Sequence, residues 1–181
     1  MKLWLVRHAQ PLVGPGVCYG ASDLLADEQA TLEAAQALAN ELPLGLSVMC
    51  SPLKRCTQLA RAVLELRPDL MVLPDPRLKE MDFGHWEGHR WDAIPAAELR
   101  RWSDNFGTWR FGGVESVQDV MARVAAAWDE TAAAGADTVW ITHAGVMRAA
   151  TLLAQGLRQV TTASQWPNEA LVFGKAISLS I

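Results

Sequence analysis

The sequence has few cysteines and no long apolar run. Its three cysteines, Cys18, Cys50 and Cys56, are an odd number and lack the paired spacing of a zinc site. They predict free thiols in a reducing compartment, and therefore a cytoplasmic location, with a reactive catalytic thiol as the alternative. No stretch reaches the roughly eighteen apolar residues that a membrane helix needs. The short apolar run after Lys2 is too brief for a signal-peptide core.

Strong net charge and compositional bias are also absent. The formal net charge is −4, which argues against a general nucleic-acid or membrane-surface binder. No internal repeat, linker or low-complexity tract interrupts the 181 residues. A composition that is 50% hydrophobic and 20% charged is typical of a globular domain. A single domain over residues 1–181 is therefore expected.

Short apolar runs alternate with amphipathic stretches along the chain. Strands are predicted over 2–6, 46–50, 70–73 and 137–142, with one or two closing strands around Gly174. Helices are predicted from an Asp27 cap to about Leu42, from a Ser51-Pro52 start to Pro68, within 92–102, from Glu115 to about Ala134, and from Ala144 to Leu157. This alternation favours an α/β fold, a three-layer α/β/α sandwich with a mainly parallel central sheet.

Residues 74–114 differ from the rest. They contain four of the eight tryptophans and several glycine and proline breaks, so we expect an insertion or lid at about 74–114. Its tryptophans either pack this insertion against the sheet or offer aromatic faces to a substrate ring.

Polar side chains follow three of the predicted strands. They are Arg7 and His8 after the first strand, Ser51 and Arg55 after the second, and His143 after the strand at 137–142, where a helix is predicted to start at Ala144. Because ligands of open α/β sheets bind beyond the carboxyl ends of the strands, we expect these residues to meet at one edge. Two guanidinium groups and a helix N-terminus suit a phosphoryl group.

The chemistry at this edge is predicted to need no cofactor. The sequence has neither a Gly-rich Walker loop nor a carboxylate cluster for magnesium. An imidazole between arginines is kept neutral by like-charge repulsion, so His8 can attack phosphorus and form a phosphohistidine. The leaving oxygen then needs a proton from a nearby acid.

The candidate acid lies in LKEMDFGHWEG, residues 78–88. Glu80 stands in an apolar context that favours a protonated carboxyl group, while Asp82 and Glu87 remain alternatives. The same segment places His85 and His89 on either side of Glu87, and two histidines at this spacing could be zinc ligands. Glycines at 84 and 88 argue against a continuous helix there, and no metal is expected.

The motifs LVRHAQP, SPLKRC, LKEMDFGHWEG and THAGVMR, in this order, resemble the histidine phosphatase superfamily. That group includes cofactor-dependent phosphoglycerate mutases and many phosphomonoesterases, and the resemblance covers nearly the whole chain. It implies a phosphoglycerate mutase-like fold with His8, Glu80 and His143 as catalytic residues. His8 would be the phosphorylated nucleophile and Glu80 the acid and then the base. The resemblance implies that Arg7, Arg55 and the start of the helix at Ala144 hold the phosphoryl group, together with His143.

Further positions follow from the same resemblance. Ala9 stands where the family usually has glycine. The segment GGVESVQD, residues 112–119, resembles a family helix start and places Glu115 and Ser116 near the rim, where Gln10 and Ser51 are also expected.

Within the family, the loop GVCYGASD (16–23) and the compact length are most similar to α-ribazole phosphatases. The predicted function is therefore a metal-independent phosphomonoesterase, with α-ribazole-5'-phosphate of cobalamin biosynthesis as the candidate substrate. The alternatives are phosphoglycerate mutase-type phosphoryl transfer and a non-catalytic phospho-ligand-binding module, which Ala9 alone supports. The expected partners are a small phosphorylated metabolite and a second copy of the chain in a homodimer, with no nucleic acid and no membrane.

Overall fold

A computed structural model describes all 181 residues. The strands are β1 (Lys2–Arg7), β2 (Ser47–Cys50), β3 (Met71–Pro74), β4 (Thr138–Thr142) and β5 (Ala176–Ser180). The α-helices are α1 (Glu28–Glu41), α2 (Lys54–Leu66), α3 (Ala96–Asp104), α4 (Val117–Ala134) and α5 (Ala144–Ala154). Short 3₁₀ helices lie at Pro76–Leu78, Gly84–Trp86, Trp91–Ala93 and Ala163–Gln165. None of the helices combines the length and apolarity that crossing a lipid bilayer requires.

The five strands form one sheet in the order β3-β2-β4-β1-β5. β1, β2, β3 and β4 are parallel, and β5 alone is antiparallel to its neighbour β1. The mainly parallel sheet is thereby confirmed. Arg7 pairs with Thr142 and Cys50 pairs with Ile141, so β1, β2 and β4 end side by side. The residues that follow these strands therefore leave the same edge of the sheet.

Alternation along the strands gives the sheet a core on each face. Leu3 and Leu5 of β1 pack with α4 and α5, whereas Val6 packs with α1 and α2. In β4, Trp140 belongs to the α4/α5 side, while Val139 and Ile141 belong to the other. Both faces are covered by helices, which confirms the three-layer α/β/α sandwich.

Residues 74–114 contain α3 and three of the 3₁₀ helices. A third, smaller apolar cluster lies here, formed by Cys18, Ile94 and Phe111 with tryptophans of the same segment around them. The segment therefore has packing of its own, separate from the two sheet cores.

Four helix boundaries depart from the sequence predictions: α3 extends to Asp104, α5 ends at Ala154 instead of Leu157, and α2 and α4 begin later than predicted. Asp27 caps α1 as predicted, since its carboxylate accepts the backbone N–H of Ala30 at 2.8 Å. α2, by contrast, begins at Lys54, and its N-cap Leu53 makes no side-chain hydrogen bond. The predicted start at Ser51-Pro52 is therefore wrong, although the Ser51 hydroxyl oxygen accepts the Leu53 N–H at 3.4 Å.

Helix α4 begins at Val117, two residues after the predicted start at Glu115. Ser116 accepts from the backbone of Asp119, whose carboxylate accepts from the backbone of Ser116. This reciprocal capping box fixes the first turn.

Candidate active site

His8 follows β1 and is 2% exposed. The Nε–H of Arg55 donates to its Nε2 at 3.2 Å, and its Nδ1 lies 2.7 Å from the carbonyl oxygen of Ala9. Because Arg55 can only donate, Nε2 carries the lone pair and Nδ1 carries the proton. Burial, and then the charge of Arg55, lower the pKa of His8 to about 3. The imidazole is thus neutral around pH 7, with burial the larger cause and the predicted cationic repulsion the smaller.

Arg55 has no exposed surface. Its Nη1 and Nη2 donate to the carbonyl oxygens of Ser22 at 2.7 Å and Gly20 at 2.6 Å. These bonds use three of its five N–H groups, including the one at His8. The loop before α1 therefore sets the direction of this guanidinium.

Glu87 holds that loop in place. Its carboxylate accepts the backbone N–H groups of Gly20, Ala21, Ser22 and Phe83 at 2.8–3.1 Å, and it also accepts the Ser22 hydroxyl. Burial raises the pKa of Glu87, but these hydrogen bonds outweigh burial, and the net pKa is lowered. An ionised carboxylate whose oxygens already accept these hydrogen bonds is no proton donor. Glu87 therefore stabilises the loop and is not the general acid.

Arg7 is held by the segment before β5. Its Nη1 donates to the carbonyl oxygen of Leu171, and its guanidinium carbon lies 3.6 Å from the ring centroid of Phe173. The N–H of Gly174 is shared between the carbonyl oxygens of Arg7 and His8, both at 3.1 Å. Sequence reasoning missed this cradle because the contacts are made mostly by backbone and by an ordinary phenylalanine distant in sequence.

His143 is fully buried, and its ring centroid lies 5.0 Å from that of His8. Its Nε2 lies 2.8 Å from the Ser51 hydroxyl oxygen and 3.4 Å from the Cys56 sulfur. Burial, and then the charge of Arg55, lower the pKa of His143 well below its ordinary value. A second neutral imidazole therefore lies beside His8.

The thiols beneath this site are not reactive. Cys18, Cys50 and Cys56 are free and buried, and burial raises the pKa of each. They remain protonated near neutral pH, which removes the alternative of a thiolate nucleophile.

Glu80 follows β3 in the chain, and its carboxylate reaches the first turn of α5. Its carboxylate accepts the N–H of Met81 and the N–H of Gly145, each at 3.0 Å. A Cβ at position 145 would lie 2.2 Å from Glu80 Oε1, so this close approach requires glycine. The two acid alternatives are placed differently: Glu87 holds the loop, and Asp82 accepts the N–H of Gly84 at 2.8 Å.

Tyr19 is a site residue that sequence reasoning did not single out. Its ring centroid lies 5.6 Å from the Arg55 guanidinium carbon. Burial raises the pKa of the phenol, although the charges of Arg7 and Arg55 oppose this. The hydroxyl group therefore keeps its proton beside both cations. As the only tyrosine of the chain, in a Gly-rich loop next to two motif arginines, it offered a weak signal.

The expected rim positions separate into several environments. Gln10 is exposed, and Ala144 is buried at the first position of α5. Glu115 pairs with Arg123 at 2.7 Å and borders a polar recess that also contains Glu80. The Ser116 hydroxyl is committed to the capping box of α4.

The two histidines of the proposed zinc spacing do not converge with a third ligand. The Trp86 ring lies beside both, 4.5 Å from His85 and 5.6 Å from His89, and Glu87 is engaged by backbone. No group of three His, Cys, Asp or Glu side chains anywhere in the chain is arranged to hold a metal ion.

The site thus combines a buried neutral imidazole, two guanidinium groups, a second neutral imidazole and a carboxyl group at a helix start. The model of the histidine phosphatase superfamily (branch 1) matches residues 3–171. The chain belongs to this superfamily.

Relatives and solved structures of histidine phosphatases agree with this. A "probable phosphatase" of Schizosaccharomyces pombe is 28% identical over 134 residues, which are 72% of this chain and 60% of that protein. The chain thus spans less than two thirds of this relative. The α-ribazole phosphatase of Shigella flexneri is 25% identical, with TM-score 0.82 over 100% of this chain and 91% of that one. A mycobacterial glucosyl-3-phosphoglycerate phosphatase in complex with VO3 is 26% identical, with TM-score 0.82 over 99% and 90%.

Ala9 is accommodated in this histidine phosphatase without strain. It is 1% exposed, and no residue other than glycine has a positive φ. Its carbonyl oxygen accepts the His8 Nδ1–H, an interaction that is independent of the side chain at position 9. The alanine therefore gives no support to a non-catalytic module.

Proposed function

We propose that the protein is a metal-independent phosphomonoesterase that acts through a phosphohistidine at His8. The observation that carries the proposal is the neutral, buried His8 imidazole, whose Nε2 lone pair faces the Arg55 guanidinium. A nucleophile for phosphorus needs such a lone pair beside cations that attract the phosphoryl group.

The proposed reaction has two steps. In the first, the Nε2–P bond forms as the ester O–P bond breaks, and the Glu80 carboxyl group gives its proton to the leaving oxygen. In the second, a water oxygen bonds to phosphorus as the N–P bond breaks, and the Glu80 carboxylate takes the proton from that water. Phosphate leaves, and both groups return to their initial states.

Arg7 and Arg55 are proposed to hold the phosphoryl oxygens. Arg55 keeps two N–H groups beyond those used by His8, Gly20 and Ser22, and the Nε–H of Arg7 has no partner within the protein. The N-terminus of α5 at Ala144 adds a favourable dipole. The neutral His143 ring carries one N–H, which is proposed as a further donor to the same group.

For the substrate, we propose α-ribazole-5'-phosphate, supported by the likeness to the Shigella flexneri enzyme and by the loop at residues 16–23. The likeness to glucosyl-3-phosphoglycerate phosphatase gives the second substrate to assay.

The test replaces His8 by alanine and measures hydrolysis of p-nitrophenyl phosphate with and without EDTA. We expect the variant to lose activity by about three orders of magnitude or more, because the covalent route is removed. EDTA should leave the wild-type rate unchanged. The matched control is His89→Ala, which removes an exposed imidazole and should keep full activity.

The products decide between the proposal and its alternatives. Mass spectrometry of rapidly quenched wild-type protein should show an acid-labile phosphoryl group on residue 8, and free phosphate should accumulate. An isomerised ester without free phosphate would indicate a mutase instead. Ligand binding by a correctly folded wild-type protein with no turnover of any ester would indicate a binding module.

A further inference from the structure

A second recess lies on the far side of the Glu80 carboxylate. We call it the aromatic recess; its walls include Phe83, Trp91, Trp102, Phe106 and Trp166. Its volume is about 210 Å³, and Glu80 and Gly145 stand at its border. A dry apolar cavity of about 150 Å³ accepts benzene, so this recess has room for a ring.

The recess borders the proposed phosphoryl site at Glu80 and the first turns of α5. Arg148 lines it, one helical turn after Gly145, whose N–H holds Glu80. The same guanidinium is close enough to Arg7 to help lower the pKa of that residue, with burial the main cause. A group bonded to the phosphoryl oxygen nearest Glu80 would therefore extend into the recess.

Flat rings form the walls. Trp102 stacks with Trp91 at 6.4 Å and 10°, and with Phe106 at 5.5 Å and 23°. Phe106 in turn meets Trp166 edge-on at 6.0 Å. Such surfaces favour another ring by offset or edge-on contact, and they offer little to a carboxylate chain.

We propose that the aromatic recess binds the leaving group of the ester, and that this group is a flat, largely apolar ring system. This inference rests on the proposed phosphatase function and narrows its substrate class. It favours esters of aromatic or heteroaromatic alcohols and nucleoside-like compounds over esters of small polyols and hydroxy acids.

The binding experiment uses phosphonates, which cannot be hydrolysed. Isothermal titration calorimetry compares methylphosphonate with benzylphosphonate. We expect benzylphosphonate to bind about tenfold or more tightly than methylphosphonate, because its ring is buried. Equal affinity for the two phosphonates would overturn the proposal.

Variants locate the effect in the recess. Val120→Phe fills it from α4 and should remove the advantage of benzylphosphonate. Trp102→Leu removes one aromatic wall, should reduce the same advantage, and gives a second test should Val120→Phe not fold. The control is Trp4→Leu, which removes a tryptophan ring on the opposite face of the sheet and should leave the advantage of benzylphosphonate unchanged.

Turnover separates this inference from the phosphatase itself. The value of kcat/KM for 2-phenylethyl phosphate should exceed that for ethyl phosphate by about tenfold, since the two leaving groups have similar basicity. Equal kcat/KM values with normal turnover would overturn the proposed role of the recess and leave the proposed phosphatase function standing. No turnover together with preferential binding of benzylphosphonate would refute the phosphatase function and leave ring binding in the recess standing.

Discussion

His8 owes its neutral state to its place behind the sheet edge. It is buried at the end of a central strand, and a second buried imidazole and a buried guanidinium lie against it. Burial, and then the charges of Arg55 and Arg7, make it costly to place a proton on the ring. The same arrangement that keeps Nε2 unprotonated also links the stability of the fold to pH.

Acid should destabilise the protein through His8. Its pKa is 6.5 in the unfolded chain and about 3 when folded, so below pH 6.5 the unfolded state binds more protons. The His8 contribution to the free energy of unfolding is complete above pH 6.5 and is lost as the pH falls toward 3. The loss amounts to about 2 kcal/mol by about pH 5. Urea unfolding at about pH 7 and about pH 5 measures it. His8→Asn should show a shallower decline, and an equal decline would contradict this origin.

Glu80 should matter most where the leaving group is a poor one. An alkoxide needs a proton as it departs, whereas p-nitrophenolate does not. Glu80→Gln is therefore expected to lower kcat/KM for an alkyl phosphate by about a hundredfold or more, and for p-nitrophenyl phosphate by much less. Asp82→Asn serves as the control and should affect both esters alike. A uniform loss in Glu80→Gln would assign the acid elsewhere.

At the scale of elements, one carboxylate organises the loop between β1 and α1. Glu87 binds Gly20 and Ser22 through their N–H groups, and the carbonyl oxygens of the same residues bind Arg55. A residue in the segment after β3 thus fixes the Arg55 guanidinium on α2, which is proposed to hold the phosphoryl group. Packing of this kind leaves no periodic mark in the sequence.

Glu87→Gln should break this connection. The amide replaces an acceptor by a donor that faces backbone N–H groups, so we expect a loss of about 2–3 kcal/mol in the free energy of unfolding. Inorganic phosphate should bind about tenfold more weakly, because Arg55 loses its fixed direction. Chemical denaturation and calorimetry measure the two effects. Glu65→Gln on exposed helix surface is the matched control, and unchanged phosphate affinity in Glu87→Gln would refute the coupling.

At the scale of the molecule, three apolar clusters differ in size. Two large ones cover the faces of the sheet, and the third, around Phe111, has only three fully buried members. Local stability follows the amount of buried apolar surface, so the segment at 74–114 should open more readily than the sheet.

Hydrogen exchange tests this difference. Amides in 84–111 should exchange faster than those of β1 and β4, and benzylphosphonate should slow the exchange around Trp102. Methylphosphonate is the control ligand, because it lacks the ring. Uniform protection across the chain would show that the segment does not open independently.

The sequence predicted the layers of the fold and the identity of the charged cluster because both leave periodic or positional marks. Short apolar runs alternate along the chain with amphipathic helices, and Arg7, Arg55 and His143 follow the predicted strands directly or by one turn. The supports of the site leave no such marks. Phe173 and Gly174 reach Arg7 from the far end of the chain, and the Ser51 hydroxyl lies 2.8 Å from Nε2 of His143, a residue 92 positions away. Contacts of this kind depend on how distant segments close around one another.

The hydrogen bond from Arg55 to His8 has a consequence for timing. In the resting protein the nitrogen proposed to attack phosphorus already has a partner, so it is masked against other electrophiles. To expose this lone pair, an arriving ester must draw the guanidinium toward its own oxygens. Capture of the anion and release of the nucleophile are then a single event, and a molecule without a phosphoryl group leaves the imidazole covered.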